Sequence, residues 1–235
     1  MVKAKNTPSP QQLEIVRWSV RMGAVTAEAL ARRDARTLAS SRAHLLVAER
    51  AGLLRRTRLL TDRPALYTAT RDGLRASGLP GFETCRPSVS NAPHLIACVQ
   101  AAAVLGRAYP DHQVMGEREL RRDEREAGKP LASASLGHAP DGAPLLHRPD
   151  LVLWPDDPRQ ELPVAVEVEL TVKAPRRLAE ICRAWARCRA IAGTLYLAAP
   201  DVQRPLARAI EKAGAGERIV VLALDVLSRL EEPAG

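Results

Sequence analysis

Apolar positions in the first third of the chain recur first at helical spacing and then at strand spacing. Ser9-Pro10-Gln11-Gln12 supplies a cap and a first-turn proline. Behind it Leu13, Val16 and Val20 form one stripe and Ile15, Trp18 and Met22 a second. This predicts a helix packed on two sides and ended by Gly23. Thr26 caps a short second helix, Ala27 to Arg33, with Glu28 in its first turn. Asp34-Ala35-Arg36-Thr37 reads as a turn, and a third helix runs from Leu38 to Ala51, stopping at Gly52. Arg55-Arg56-Thr57-Arg58, the turn Thr61-Asp62-Arg63-Pro64 and the run Ala65 to Thr70 predict a basic hairpin, and Asp72-Gly73-Leu74 leads into a last short helix.

Residues 76–93 break the pattern with three prolines and several small residues, which sets a linker over 79–93 between domains at 9–78 and 94–230. Beyond it, Leu95, Cys98, Ala102 and Leu105 predict a helix over 94–107. His112 to Leu120 reads as a strand and residues 122–148 as a long loop, a length that points to function or mobility. Strand patterns follow at 150–154 and 164–172. Leu178, Ile181, Trp185, Cys188 and Ala192 predict a helix over 174–192, with Arg176, Arg183 and Arg187 off its apolar stripe. A strand at 194–199, a helix at 202–213 and a strand at 218–227 complete the order.

Composition narrows the function classes. The chain has 235 residues, 46% hydrophobic and only 3% aromatic, so its core is mostly Ala, Leu and Val and a wholly disordered chain is excluded. No apolar run approaches the roughly 18 residues a membrane span needs. The opening residues carry no apolar stretch for a signal peptide, which predicts a cytoplasmic protein without a membrane partner. Cys85, Cys98, Cys182 and Cys188 form no C-x-x-C pair and read as small buried hydrophobes. The phosphate loop, the dinucleotide fingerprint and the hydrolase nucleophile turn are all missing, which argues against small-molecule chemistry.

Charge changes the picture more. The chain is +8 overall, but residues 1–80 hold 15 basic and 6 acidic side chains, a net +9, and the remainder is −1. A compact basic segment on a near-neutral body is the electrostatic footprint of a nucleic-acid reader. The alternative is an arginine-rich face that serves solubility, or protein contacts.

The acidic chemistry concentrates in Val164 to Lys173. Strand alternation puts Val164, Val166, Val168, Leu170 and Val172 on one face and Glu167, Glu169, Thr171 and Lys173 on the other. If the preceding strand pairs with this one as a hairpin, Asp150 lies beside Glu167. An Asp and a Glu on adjacent strands form a hard oxygen site suited to magnesium or manganese. Such an ion activates water and stabilises charge on a phosphodiester. The alternative is a half-exposed strand with a solvated charged face.

Helix, helix, helix, basic hairpin resembles a winged helix-turn-helix, carried by Ala51-Gly52-Leu53-Leu54 and Tyr67-Thr68-Ala69-Thr70-Arg71-Asp72-Gly73. That resemblance implies that Ser40, Ser41, Arg42 and His44 face DNA, that Leu45, Leu46 and Ala48 supply core, and that Arg55, Arg56, Arg58 and Arg63 meet phosphates. Pro149-Asp150 with Glu167-Val168-Glu169 resembles the PD-(D/E)xK nuclease superfamily. Together with Gly116-Glu117-Arg118-Glu119-Leu120 and His147-Arg148-Pro149-Asp150, nearly the whole chain, from about residue 10 to 228, is similar to the replication-relaxation family of plasmids and integrative elements.

The fold this implies is α+β: a winged helix-turn-helix followed by a nuclease-like domain with a central mixed sheet. Asp150 and Glu167 would hold Mg (or Mn), with Glu117 a further acid. Glu169 occupies the usual lysine position, and Lys173 lies about 13 Å beyond it by strand rise. His147 reads as a loop histidine without a role, the alternative being an assisting base. The function implied is a DNA-binding endonuclease or nickase of mobile-element replication or transfer. Its partners would be DNA, a second copy in a homodimer, and the element's replication or transfer proteins. The alternative is a non-catalytic regulator or accessory factor that keeps the nuclease-like scaffold.

Overall fold

The computed structural model describes residues 8–226. It is α+β, with eight helices and a five-stranded mixed sheet among the described residues. No described helix is long and apolar enough to cross a membrane. The chain divides into two compact units, residues 1–103 and 104–235.

The first unit runs α1 (Pro10–Met22), α2 (Ala27–Arg33), α3 (Leu38–Arg50), β1 (Leu54–Thr57), β2 (Leu66–Ala69) and α4 (Arg71–Ser77). Ser9 and Gln12 cap α1 reciprocally, satisfying two backbone donors that the helix end leaves open. Thr26 and Thr37 do the same by single bonds for α2 and α3. Ile15, Val16 and Val20 of α1 are fully buried, as are Leu30 of α2 and Leu45 of α3. Trp18 stays half-buried, under the Arg33 guanidinium at 4.5 Å.

β1 and β2 pair antiparallel, and the free side of β2 bridges to Val25, which exchanges both backbone bonds with Tyr67. Thr70 ties the start of α4 to the end of α3. Its hydroxyl donates to the Gly52 carbonyl, and its N–H bonds the Leu53 carbonyl. Gly73 makes this closeness feasible, because a Cβ there would lie 2.1 Å from the Leu53 oxygen. Between α4 and α5 (Ala92–Ala108), no helix or strand forms. α5 crosses the division at 103/104.

The second unit continues with β3 (His112–Gly116), α6 (Glu117–Ala127), β4 (Ala134–His138), β5 (Pro144–His147), β6 (Leu151–Pro155), β7 (Val164–Glu169), α7 (Pro175–Arg187), β8 (Gly193–Ala198), α8 (Pro200–Ala213) and β9 (Ile219–Ala223). The sheet order is β3-β6-β7-β8-β9. β3, β6 and β7 run antiparallel as neighbours, whereas β8 and β9 are parallel to β7. Trp185, Leu178 and Ile181 of α7 and Val202 and Leu206 of α8 pack with Val152, Ala165 and Tyr196 of the sheet into one core.

Four element expectations need correction. The strand predicted over 112–120 ends at Gly116, where α6 begins. α6 is rich in Glu and Arg and buries only Leu120 and Glu124, so its apolar period is too sparse to read. The predicted loop over 122–148 holds the end of α6 and the hairpin β4–β5, whose register is broken between Ser135 and Gly137. β7 stops at Glu169, short of Val172, and is buried along 165–169 on both faces. α7 ends at Arg187, so Ala192 lies outside it. Leu227 and residues 228–230 of the predicted last elements lie outside the described residues.

Candidate functional site

The acidic residues come together at the end of β7. β6 and β7 pair from Leu151 opposite Val166, and Asp150, the residue just before β6, lies close enough to Glu167 for its charge to act on that carboxyl. The Asp150 Oδ2 accepts the Val168 N–H at 2.8 Å, and the Asp150 carbonyl accepts the Glu117 N–H at 2.9 Å. The first bond ties Asp150 to β7 and the second to the first turn of α6. Two residues before it, Arg148 meets Glu124 at 2.9 Å, and Glu124 also accepts the Leu131 N–H. These bonds hold the Pro149-Asp150 step against α6 and the strand.

Glu167 is only 4% exposed and Glu169 5%, so neither is on a solvated face. Taking a carboxylate from water is costly unless donors replace the lost hydration. Two nitrogens do so for Glu167. His147 Nε2 lies 2.7 Å from its Oε1, and the indole N–H of Trp185 donates to the same oxygen at 3.1 Å. His147 sits edge-on to Trp185, with ring centroids 5.5 Å apart. Both of these contacts fall on Oε1 of the Glu167 carboxylate.

Burial pushes the Glu167 carboxyl above its ordinary range. The His147 bond and charge oppose that rise, the negative charge of Asp150 adds to it, and Lys173 opposes it again. Burial and the nearby Glu167 charge push the Cys182 thiol up to about 11 and the Tyr196 hydroxyl up as well. Both groups therefore stay protonated at neutral pH.

Lys173 does not lie far down an extended strand. β7 ends, the chain bends, and the Lys173 ammonium pairs with the Glu169 carboxylate. Glu117 holds the first turn of α6, but its side chain is directed into an i,i+4 pair with Arg121. The structure thus brings Asp150, Glu167, Glu169 and Lys173 to the end of β7, and adds His147 and Trp185 as partners of Glu167 and the Glu124–Arg148 pair beside Asp150. His147, expected in a loop, ends β5 and bonds Glu167. Trp185 was placed only on an apolar stripe. A buried indole N–H needs an acceptor, and that need was the available signal. The Glu124–Arg148 pair carried no signal, since the two lie on elements that were read as loop.

The basic residues of the first unit divide by face. Arg42, Arg56 and Arg58 line a hollow with Glu28, Leu46 and Tyr67. Arg42 is partly balanced by Glu28, at 3.5 Å. Arg55 is the strand neighbour of Arg56 and projects to the other face of the hairpin. Arg63 is exposed beside Asp62, at 3.5 Å, while Ser40 and His44 are half-buried on α3. Two expectations fail here. Ser41 is fully buried and faces the core, and Leu46, expected in the core, is 38% exposed. α3 is rotated so that Ser41, Leu45 and Ala48 form its inner line, spaced three and four residues apart.

No protein-family model, curated protein or solved structure matches the chain.

Proposed function

We propose that the chain is a DNA-binding, metal-dependent endonuclease or nickase of the kind that serves mobile-element replication or transfer. On this reading the first unit is a winged helix-turn-helix and the second a PD-(D/E)xK-like nuclease domain. The observation that carries the reading is the position of Asp150 just before β6, bonded through its carboxylate to the Val168 N–H next to Glu167 of β7, in a β3-β6-β7-β8-β9 sheet. DNA binding is supported by Arg42, Arg56 and Arg58, gathered beside the exposed residues of α3. Guanidinium groups there suit phosphate contacts, and Leu46 and Val47, exposed on the same helix, suit the thymine methyl in a major groove.

The donor set fits a hard divalent ion. Both nitrogen contacts to Glu167 fall on one oxygen, and its Oε2 is the group that Mg or Mn would take together with the Asp150 carboxylate. Bound there, the ion supplies an activated water and charge stabilisation for phosphodiester hydrolysis. His147 and Trp185 fix the Glu167 carboxylate in one orientation, as partners of metal ligands do elsewhere. Lys173 places its positive charge at Glu169, on the same side of the strand end, and so offsets the carboxylate that stands in the lysine position.

A specific observation favours a second reading, a non-catalytic DNA-binding regulator. Glu167 is nearly sealed by Trp185 and His147, an arrangement that also serves purely to fold the unit. Supercoiled plasmid incubated with Mg or Mn, with an EDTA control and a Glu167→Gln variant, separates the two. Metal-dependent nicking by wild type that is lost in the variant supports the nuclease. Salt-sensitive DNA binding without any nicking, at several plasmid sequences, supports the regulator.

A further inference from the structure

The first unit carries a second basic hollow, on the face of the hairpin turned away from Arg56. Arg55, Arg71, Arg75 and Arg86 line it, with Asp72 as its acid. Asp72 is already taken by Arg75, its i+3 neighbour. Arg55, Arg71 and Arg86 are exposed and have no carboxylate partner among the described residues. Three uncompensated guanidinium groups around one concavity repel each other, and an anion relieves that repulsion. The guanidinium fork matches phosphate oxygens in particular.

The hollow is built, not assembled by chance from mobile chains. Arg55 is fixed by β1, with its backbone opposite Thr68. Arg71 is fixed by α4, which Thr70 and the missing side chain of Gly73 lock against the Leu53 carbonyl. Arg86 comes from the segment after α4. These groups are far apart in sequence and meet only because the fold brings them together.

We propose that this hollow is a phosphate-binding site, and that the phosphate it takes belongs to a DNA backbone. The first unit then meets DNA on both faces of its hairpin: Arg56 with Arg42 and Arg58 on one, Arg55 with Arg71 and Arg86 on the other. The inference rests on the DNA-binding reading only for the source of the phosphate.

The test uses the full chain and the triple variant Arg55→Ala, Arg71→Ala, Arg86→Ala. These side chains are exposed, so the variant keeps its fold, and circular dichroism with a melting curve verifies it. Duplex binding is followed by fluorescence anisotropy across a salt series. The log–log salt slope falls by about 0.9 for each phosphate contact removed, so the triple variant loses up to roughly 2.7. In parallel, inorganic phosphate is titrated while the arginine Nε–H signals are watched by NMR.

A reduced slope establishes the DNA backbone as the ligand. An unchanged slope overturns that source, and phosphate-induced shifts at Arg55, Arg71 and Arg86 would then assign the hollow to a free phosphorylated ligand. An unchanged slope with no saturable shifts overturns the site altogether. Wild type that fails to bind any duplex but retains the phosphate shifts sinks the DNA reading and leaves the phosphate site standing.

Discussion

The two units treat charge in opposite ways. In the first, arginines stand outward, several without any carboxylate beside them. In the second, the central charges are buried and each has a partner: Glu167 with His147 and Trp185, Glu124 with Arg148, Glu169 with Lys173. Outward charge costs the fold little and acts at a distance on a polyanion. Inward charge is costly unless every lone pair is met, and once met it holds geometry. The contrast separates a surface that attracts from a centre that positions, and mutations in the two units should differ accordingly.

The largest expected effect is in the second unit. Trp185→Ala removes a fully buried indole and leaves the Glu167 oxygen with one donor fewer. The loss should be about 3–5 kcal/mol, read from denaturant unfolding. A cost under about 1 kcal/mol would mean that the Glu167 centre is loosely held. The framework of the first unit is also sensitive. Gly73→Ala drives a Cβ into the Leu53 carbonyl and should cost about 1–3 kcal/mol, or shift α4 away from α3.

The arginines should behave differently from both. Arg56→Ala with Arg58→Ala should change stability by no more than about 0.5 kcal/mol, because both side chains are exposed. The same pair should lower the salt slope of duplex binding by about 1.8. Loss of stability without loss of slope would erase the distinction between the units.

The smallest effect is a pH dependence. Burial raises the folded-state pKa of Glu167 above its unfolded value, so the stability tied to its protonated form is complete below the ordinary carboxyl range. That stability is lost as pH rises through the raised value. Glu167→Gln removes the titration and keeps an oxygen for His147 and Trp185. Melting curves should therefore favour the variant increasingly as pH climbs from about 4 toward neutrality. A constant difference would place the Glu167 titration at its ordinary value.

Much of this was legible in the chain. Caps at Ser9 and Thr26 and the apolar stripes of α1 set the first two helices, because those signals are local, whereas Thr37, which caps α3, reads only as part of a turn. The β7 alternation followed from strand period two, whereas the hairpin pairing on which Asp150 beside Glu167 depended was only a condition until β6 and β7 were seen to pair antiparallel. What escaped detection depended on tertiary contacts. α6 has one buried apolar side chain and is held by an ion pair and by the backbone bond from Glu117 to Asp150. The β4–β5 hairpin is irregular, so no period marks it, and with it the position of His147 was lost. The inward turn of Ser41 and outward turn of Leu46 reverse what polarity alone predicts, since the rotation of α3 is set by its neighbours. Lys173 reaches Glu169 because the strand stops, a boundary that the Leu170–Val172 alternation conceals.

The most direct test is manganese binding by the full chain, followed by the loss of the free-ion electron paramagnetic resonance signal, for wild type beside Glu167→Gln. The account predicts that wild type takes up manganese at a single class of site and that the variant does not, with both equally folded. Manganese that stays free in the presence of wild type, or that the variant binds as tightly, would contradict the Asp150–Glu167 pair as a metal centre.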